Sequence, residues 1–169
     1  EVREGVLKGD IHIIGGGDPT LGSLDSICPP AEAAFALWKS FLDARGIRRI
    51  EGRVIGDGSA FDGMREHPSW SWEDIGSYYG QGSSGLNFCE NFLRFNVRPG
   101  AKVGDPIRLT QLYPKTPWLK IEDESSTGVP GSGDELYFYT TDFSPKALMR
   151  GTYAVDKKPK VLCCANKQP

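Results

Sequence analysis

Glycine and proline interrupt this sequence so often that long helices have almost nowhere to form. Twenty-one glycines and twelve prolines are spread over 169 residues, and both residue types favour turns, so many short elements are expected. One interrupted stretch stands out, from Pro68 to Arg94, P-S-W-S-W-E-D-I-G-S-Y-Y-G-Q-G-S-S-G-L-N-F-C-E-N-F-L-R, with two of the four tryptophans, two adjacent tyrosines and four glycines. It is too irregular for one helix and too broken for one strand, which predicts a shaped loop. Beside Glu73 and Asp74 such a loop suits a ligand, because aromatic rings give contact area and a carboxylate gives orientation. The same aromatics suit a turn that closes a core.

The bulk properties fit a globular chain with one ordinary core or two small ones. Twenty basic residues against 22 acidic ones leave no positive excess, so neither nucleic acid nor an anionic membrane surface is an expected partner. No run approaches the roughly 18 apolar residues that a membrane span requires. The chain begins Glu-Val-Arg, without Met or a signal-peptide pattern, which suggests a mature or excised piece. Cys28, Cys89, Cys163 and Cys164 lack the paired spacing of a zinc site, and the adjacent Cys163 and Cys164 are poorly placed to bond each other.

Residues 5 to 17 read as a strand ending at Ile13 and Ile14 and stopped by three glycines, with His12 on its more polar face. From Pro29 or Pro30 to Arg45, Phe35, Trp38, Phe41 and Leu42 recur at helical spacing and predict a helix with one apolar, core-facing stripe, ended by Gly46. Arg48 to Asp57 reads as a second strand, so residues 5 to 57 form a strand–helix–strand unit compatible with parallel pairing and a right-handed crossover. Beyond the loop, Leu93, Phe95 and Val97 alternate with Arg94, Asn96 and Arg98 as in a half-buried strand. Ile107–Tyr113, Trp118–Ile121, Glu135–Thr141 and Arg150–Val155 are further predicted strands. Ser125 to Asp134 reads as the most flexible loop, and the tail from Lys157 as a segment needing cover from residues beyond Pro169. The expected fold class is therefore α/β (α+β): a β-sheet with at least one packed helix over residues 1–85, then a β-rich module over 86–169.

Self-contained chemistry is hard to find. Gly80-Gln-Gly82-Ser-Ser-Gly85 spells a dinucleotide fingerprint, with Asp105 at a suggestive distance, but Leu86 to Val97 reads as strand where a helix N-terminus should face the pyrophosphate. The glycines at 15 to 17 lack the Gly-Lys-Ser/Thr ending of a phosphate loop. There is no G-x-S-x-G, S-x-x-K, S-x-N or K-[ST]-G, and His12 and His67 stand in no metal or triad pattern. Neither a metal nor an organic cofactor is expected.

Three blocks nevertheless combine into a specific likeness: G-V-L-K-G-D-I-H-I-I-G-G-G-D-P-T-L at 5–21, G-I-R-R-I-E-G-R-V-I-G-D-G-S-A-F-D-G at 46–63 and P-S-W-S-W-E-D-I-G-S-Y-Y-G at 68–80. In order and spacing they resemble the D-alanyl-D-alanine carboxypeptidase/endopeptidases of peptidase family S13, the class C low-molecular-mass penicillin-binding proteins. In that family S-x-x-K, S-x-N and K-T-G lie in a penicillin-binding domain, and large accessory domains are inserted between the first two motifs. The resemblance implies that this chain is the insert, inactive alone and with no catalytic residue of its own. It further implies a periplasmic or otherwise extracytoplasmic serine peptidase as the parent, acting on peptidoglycan peptide stems through an acyl-enzyme and without metal. The implied partners are the parent's own penicillin-binding domain and the stem peptide.

The resemblance also assigns two substrate-binding residues. Within W-E-D-I-G-S-Y-Y the family places an aspartate and, five residues on, an aromatic ring against the side chain of the stem's diamino acid. These positions are Asp74 and Tyr79; Trp70 and Trp72, on residue type alone, read as buttresses of the loop rather than substrate contacts. A carboxylate attracts an ammonium, and a ring packs the methylenes that carry it. The competing reading is a stand-alone cell-wall or glycan binding module that uses the same aromatic loop.

Overall fold

The computed structural model describes residues 1–167. Among the described residues, twelve strands and one α-helix form two compact units, an α/β one and a β-rich one, in agreement with the predicted α+β class. Unit 1 comprises residues 1–63 and 83–90, and unit 2 comprises 64–82 and 91–167. The stretch 64–82 thus packs with the β-rich unit, and 83–90 return to the first, where a single break at residue 85 was expected.

In unit 1 the predicted strand–helix–strand pattern is present with parallel pairing. Strands β1 (Val2–Arg3), β2 (Val6–Lys8) and β4 (Arg49–Glu51) form one small sheet, in which β2 and β4 run parallel. Strands β3 (Ile11–Ile14) and β5 (Val54–Asp57) pair in parallel as a second sheet. Each predicted long strand is split, because the chains pinch together between the two ladders. A methyl group on Gly52 would lie 2.1 Å from the Gly9 carbonyl oxygen. Asp10 bridges the gap, accepting from the Arg53 backbone amide at 2.9 Å and from its guanidinium at 2.8 Å.

Helix α1 spans Ala31–Ala44. It ends where Gly46 takes a left-handed φ of 68° and the Gly46 and Ile47 amides close onto the Asp43 and Leu42 carbonyls, the geometry that glycine adopts without steric penalty. Its packed stripe matches the predicted one at Trp38 and Leu42 only. Ala31, Ala34, Trp38 and Leu42 are buried or half-buried, whereas Phe35 and Phe41 are exposed. Phe35 instead lies against Trp38 and Phe88, with ring centroids 5.6 and 6.1 Å away.

Unit 2 holds the larger core. β6 (Phe92–Arg98) lies between β7 (Arg108–Gln111) and β12 (Lys160–Ala165), antiparallel to both. β11 (Ser144–Ala154) pairs antiparallel with β10 (Asp134–Thr141) and parallel with β8 (Lys120–Asp123) and β9 (Ser126–Gly128). The alternation read from the sequence of β6 is realised: Leu93, Phe95 and Val97 are completely buried and meet Phe138, Ala147 and Met149 of the β10–β11 hairpin. Phe95 and Phe138 pack with ring centroids 5.6 Å apart.

Two expectations about unit 2 fail. The predicted flexible loop at 125–134 begins with β9, whose Thr127 is buried and donates its amide to the Asp105 carbonyl. The tail expected to need outside cover forms β12, with Cys164 and Ala165 buried against β6. In both places the segment is ordered by a distant partner strand.

Candidate functional site

The stretch from Arg65 to Gly82 is a succession of tight turns. The Trp70, Asp74, Ser77 and Gly80 amides each reach back three residues, to the carbonyls of His67, Ser71, Asp74 and Ser77 at 2.9–3.0 Å. A short 3-10 helix over Tyr78–Gly80 completes the series. Gly80 closes it, for a methyl group there would stand 2.2 Å from the Asp74 carbonyl oxygen. This return brings Tyr79 alongside Asp74, and its hydroxyl donates to Asp74 Oδ1 at 2.8 Å.

The two residues predicted from the sequence are therefore in direct contact. Tyr79 is 56% exposed and Asp74 half-buried, so one side of the pair is open to solvent. Tyr78 packs edge-on against the Tyr79 ring, centroids 5.0 Å apart at 81°. Trp72 stacks on Tyr139 of β10 at 6.4 Å and 21°, and much of its surface is exposed.

The loop is held from beneath by the rest of unit 2. Gly76 lies against the backbone of β10, since a methyl group on it would coincide with the Phe138 carbonyl oxygen at 1.4 Å. Ser77 forms a bridge with Cys164, and the Ala165 amide donates to the Gly76 carbonyl at 2.9 Å. Lys167 donates to the Gly80 carbonyl and to Glu66, both at 2.5 Å.

Two glutamates act on Tyr137 of β10. The charge of Glu135, followed by its hydrogen bond, raises the Tyr137 hydroxyl above the usual tyrosine range, and Glu73 adds to the effect. In the same unit, burial and then the charge of Glu66 raise the Asp142 carboxyl above its ordinary value, with Arg65 and Lys167 opposing them.

Sequence reasoning missed Tyr139, Glu66 and Lys167. The alternation of Glu135, Tyr137 and Tyr139 was a usable signal for the first, whereas the two charged residues are brought in by tertiary structure alone. After Gly85 comes no helix N-terminus but a 3-10 turn at Cys89–Asn91 and then β6. Among the described residues, no group of three or more His, Cys, Asp or Glu side chains is arranged to hold a metal ion, and no helix is long and apolar enough to cross a membrane.

Comparison with known proteins gives a consistent pattern. The sequence profile described as "D-Ala-D-Ala carboxypeptidase 3 (S13) family" matches residues 1–167. A D-alanyl-D-alanine carboxypeptidase of Actinomadura sp. (strain R39) is 28% identical over 163 residues, which cover 93% of this chain and 28% of that protein. The crystal structure of penicillin binding protein 4 from Haemophilus influenzae superposes with a TM-score of 0.76 at 18% identity, over 98% of this chain and 34% of that one. The same protein complexed with a β-lactam gives 0.66 at 15% identity, over 99% and 32%. The chain thus spans about a third or less of the proteins it matches.

Proposed function

Since the chain belongs to the D-Ala-D-Ala carboxypeptidase 3 (S13) family, we propose that it is the accessory, substrate-positioning region of an extracytoplasmic serine-type D-Ala-D-Ala carboxypeptidase/endopeptidase that acts on peptidoglycan peptide stems. The nucleophile and its base lie outside residues 1–169, in a penicillin-binding domain that is this region's partner. The region alone does not hydrolyse the stem.

One observation carries the reading: the half-exposed pair in which Tyr79 donates to Asp74 Oδ1 at 2.8 Å. The bond fixes the carboxylate and leaves its remaining acceptor capacity for a cationic ligand. The adjoining ring offers an apolar wall to the methylenes of a diamino acid side chain. A free ammonium on the stem thereby gains a charge-assisted contact that an acetylated stem does not. Because the contact recognises the substrate away from the reacting carbonyl, its effect is on selectivity.

The test is kcat/KM of the full-length enzyme toward a stem peptide with a free side-chain amine and toward its N-acetyl counterpart. Asp74→Ala is expected to lower kcat/KM for the free amine by about 1–3 kcal/mol, the range for hydrogen bonds to charged groups, with little change for the acetylated stem. Equal selectivity in wild type and variant would refute the assignment. Labelled penicillin is expected to modify the full-length enzyme and not residues 1–169 alone.

A further inference from the structure

Lys167 is the most deeply enclosed ammonium for which an ion pair is observed, its side chain only 1% exposed. Removing an ammonium from water costs several kcal/mol unless its charge and donors are matched, so the groups around it indicate what it holds. Glu66, with a side chain 16% exposed, supplies the counter-charge at 2.5 Å. The Gly80 carbonyl accepts a second hydrogen bond at 2.5 Å. The lysine backbone is tied in as well, since its carbonyl accepts from Arg65 Nη1 at 2.7 Å. Arg65 in turn faces Asp142 at 3.9 Å, and Asp142 Oδ1 is buried without a hydrogen-bond partner among the described residues.

The target of the ammonium decides its role. Gly80 follows Tyr79 directly, and its Cα rests against the Asp74 carbonyl. Lys167 therefore grips the carbonyl of the residue that closes the succession of turns. Glu66 and Arg65 stand at the loop's entrance and Gly80 at its close, so one side chain and its own carbonyl hold both ends of the succession of turns. The network is remote in sequence from what it holds: 101 residues separate Lys167 from Glu66 and 87 separate it from Gly80.

We infer that Lys167 is a positioning residue for the Asp74–Tyr79 pair, acting through the Gly80 carbonyl with Glu66 as its counter-ion. The inference rests on the specificity reading of that pair given above. Lys167 touches no substrate. It sets the distance between the carboxylate and the ring, and so decides how well the free amine is distinguished from the acetylated one.

Two measurements test it. Amide hydrogen exchange on the full-length enzyme compares wild type with Lys167→Met and Glu66→Gln. The Ser77 and Gly80 amides, which close the last two turns, are expected to exchange at least about tenfold faster in either variant, while the β10–β11 hairpin keeps its protection. Loss of hairpin protection in both variants would overturn the inference, because the network would then be a global stabiliser. So would unchanged exchange at Ser77 and Gly80.

The second measurement is the ratio of kcat/KM for free-amine and acetylated stems in the full-length enzyme. Lys167→Met is expected to reduce the ratio by about fivefold or more, in the direction of Asp74→Ala, and Lys167→Arg to restore part of it. A ratio lost in Asp74→Ala but kept in both Lys167→Met and Glu66→Gln overturns the positioning role and leaves the specificity reading intact. A ratio unchanged even in Asp74→Ala removes the specificity reading, and this inference with it.

Discussion

The Cα of Gly80 lies so close to the carbonyl oxygen of Asp74 that a methyl group on it would approach to 2.2 Å. This contact makes the five-residue separation of Asp74 and Tyr79 a spatial adjacency. Gly80→Ala pushes the two peptides apart and so separates the side chains on either side of the turn. In the full-length enzyme its ratio of kcat/KM for free-amine over acetylated stems is expected to fall roughly tenfold, the order that small misplacements of a binding group cost. A ratio equal to wild type would show that the pair tolerates opening of the turn.

The ring and the hydroxyl of Tyr79 have separable parts. Tyr79→Phe keeps the wall that packs methylenes and loses only the donor to Asp74, whereas Tyr79→Leu loses the flat ring. Expected losses in kcat/KM for the free-amine stem are about 0.5–1.5 kcal/mol for the first change, the net value of one hydrogen bond, and more for the second. Steady-state kinetics of the two variants distinguish them. A greater loss in Tyr79→Phe than in Tyr79→Leu would contradict the role given to the ring.

Gly76 admits no side chain, because its Cα abuts the backbone carbonyl of Phe138 on β10. Gly76→Ala must therefore lift the loop off the hairpin, and a loss of about 2–4 kcal/mol is expected, as for overpacked or strained positions. Gly16→Ala is the matching control, with nothing within 4 Å of the added methyl and an expected change within about 0.5 kcal/mol. Urea midpoints of the two variants measure both values.

The raised carboxyl of Asp142 gives stability a definite pH dependence. Burial comes first among its causes and the Glu66 charge second. A carboxyl whose folded value exceeds its unfolded one, about 3.9, binds protons more tightly when folded. Its contribution is fully present below the unfolded value and declines as pH rises through the folded one. The Tm of Asp142→Asn relative to wild type is therefore expected to increase with pH above about 4 and then to level off. A difference that is flat across this window would mean that Asp142 ionises in the folded chain as it does in the unfolded one.

The cysteines divide by access. Cys28, Cys163 and Cys164 are free thiols. Cys89 and Cys164 are buried, and burial pushes the Cys164 thiol far above the usual range, with the neighbouring Cys163 adding to the effect. Since the thiolate is the reactive form, brief iodoacetamide treatment of the folded protein is expected to label the half-buried Cys28 and Cys163 first. Cys89 and Cys164 should react only after unfolding. Peptide mapping by mass spectrometry reads the order.

Much of the architecture was legible because it is local. The bounds of α1 follow from Pro30, the apolar period and Gly46, and β6 follows from strict alternation at Leu93, Phe95 and Val97. Which helix residues are packed was less legible, since Phe35 and Phe41 fit the periodic stripe equally well and yet stand exposed in the fold. β9 and β12 could not be read locally: Ser126–Gly128 and the lysine-rich approach to Cys163 resemble loops until β11 and β6 provide partners. The Asp74–Tyr79 pair was reached through the resemblance of W-E-D-I-G-S-Y-Y, and five-residue spacing by itself does not put two side chains together. Lys167 carried no local signal, because nothing in A-N-K indicates that a carbonyl 87 residues earlier will claim its ammonium.

The chain crosses between its two units at 63/64, 82/83 and 90/91, so neither unit is a continuous length of polypeptide. During synthesis, unit 2 cannot close around the turns at 65–82 until β12 and Lys167 have left the ribosome, roughly 85–100 residues after those turns themselves emerge. At the usual ~5–20 residues per second, the loop spends several seconds without its support. A chain stopped before β12 would carry Asp74 and Tyr79 but lack the contacts of Ala165 with Gly76 and of Lys167 with Gly80. Insertion, exchange or loss of this region during evolution is accordingly expected to involve both units together, because no single cut releases either one whole.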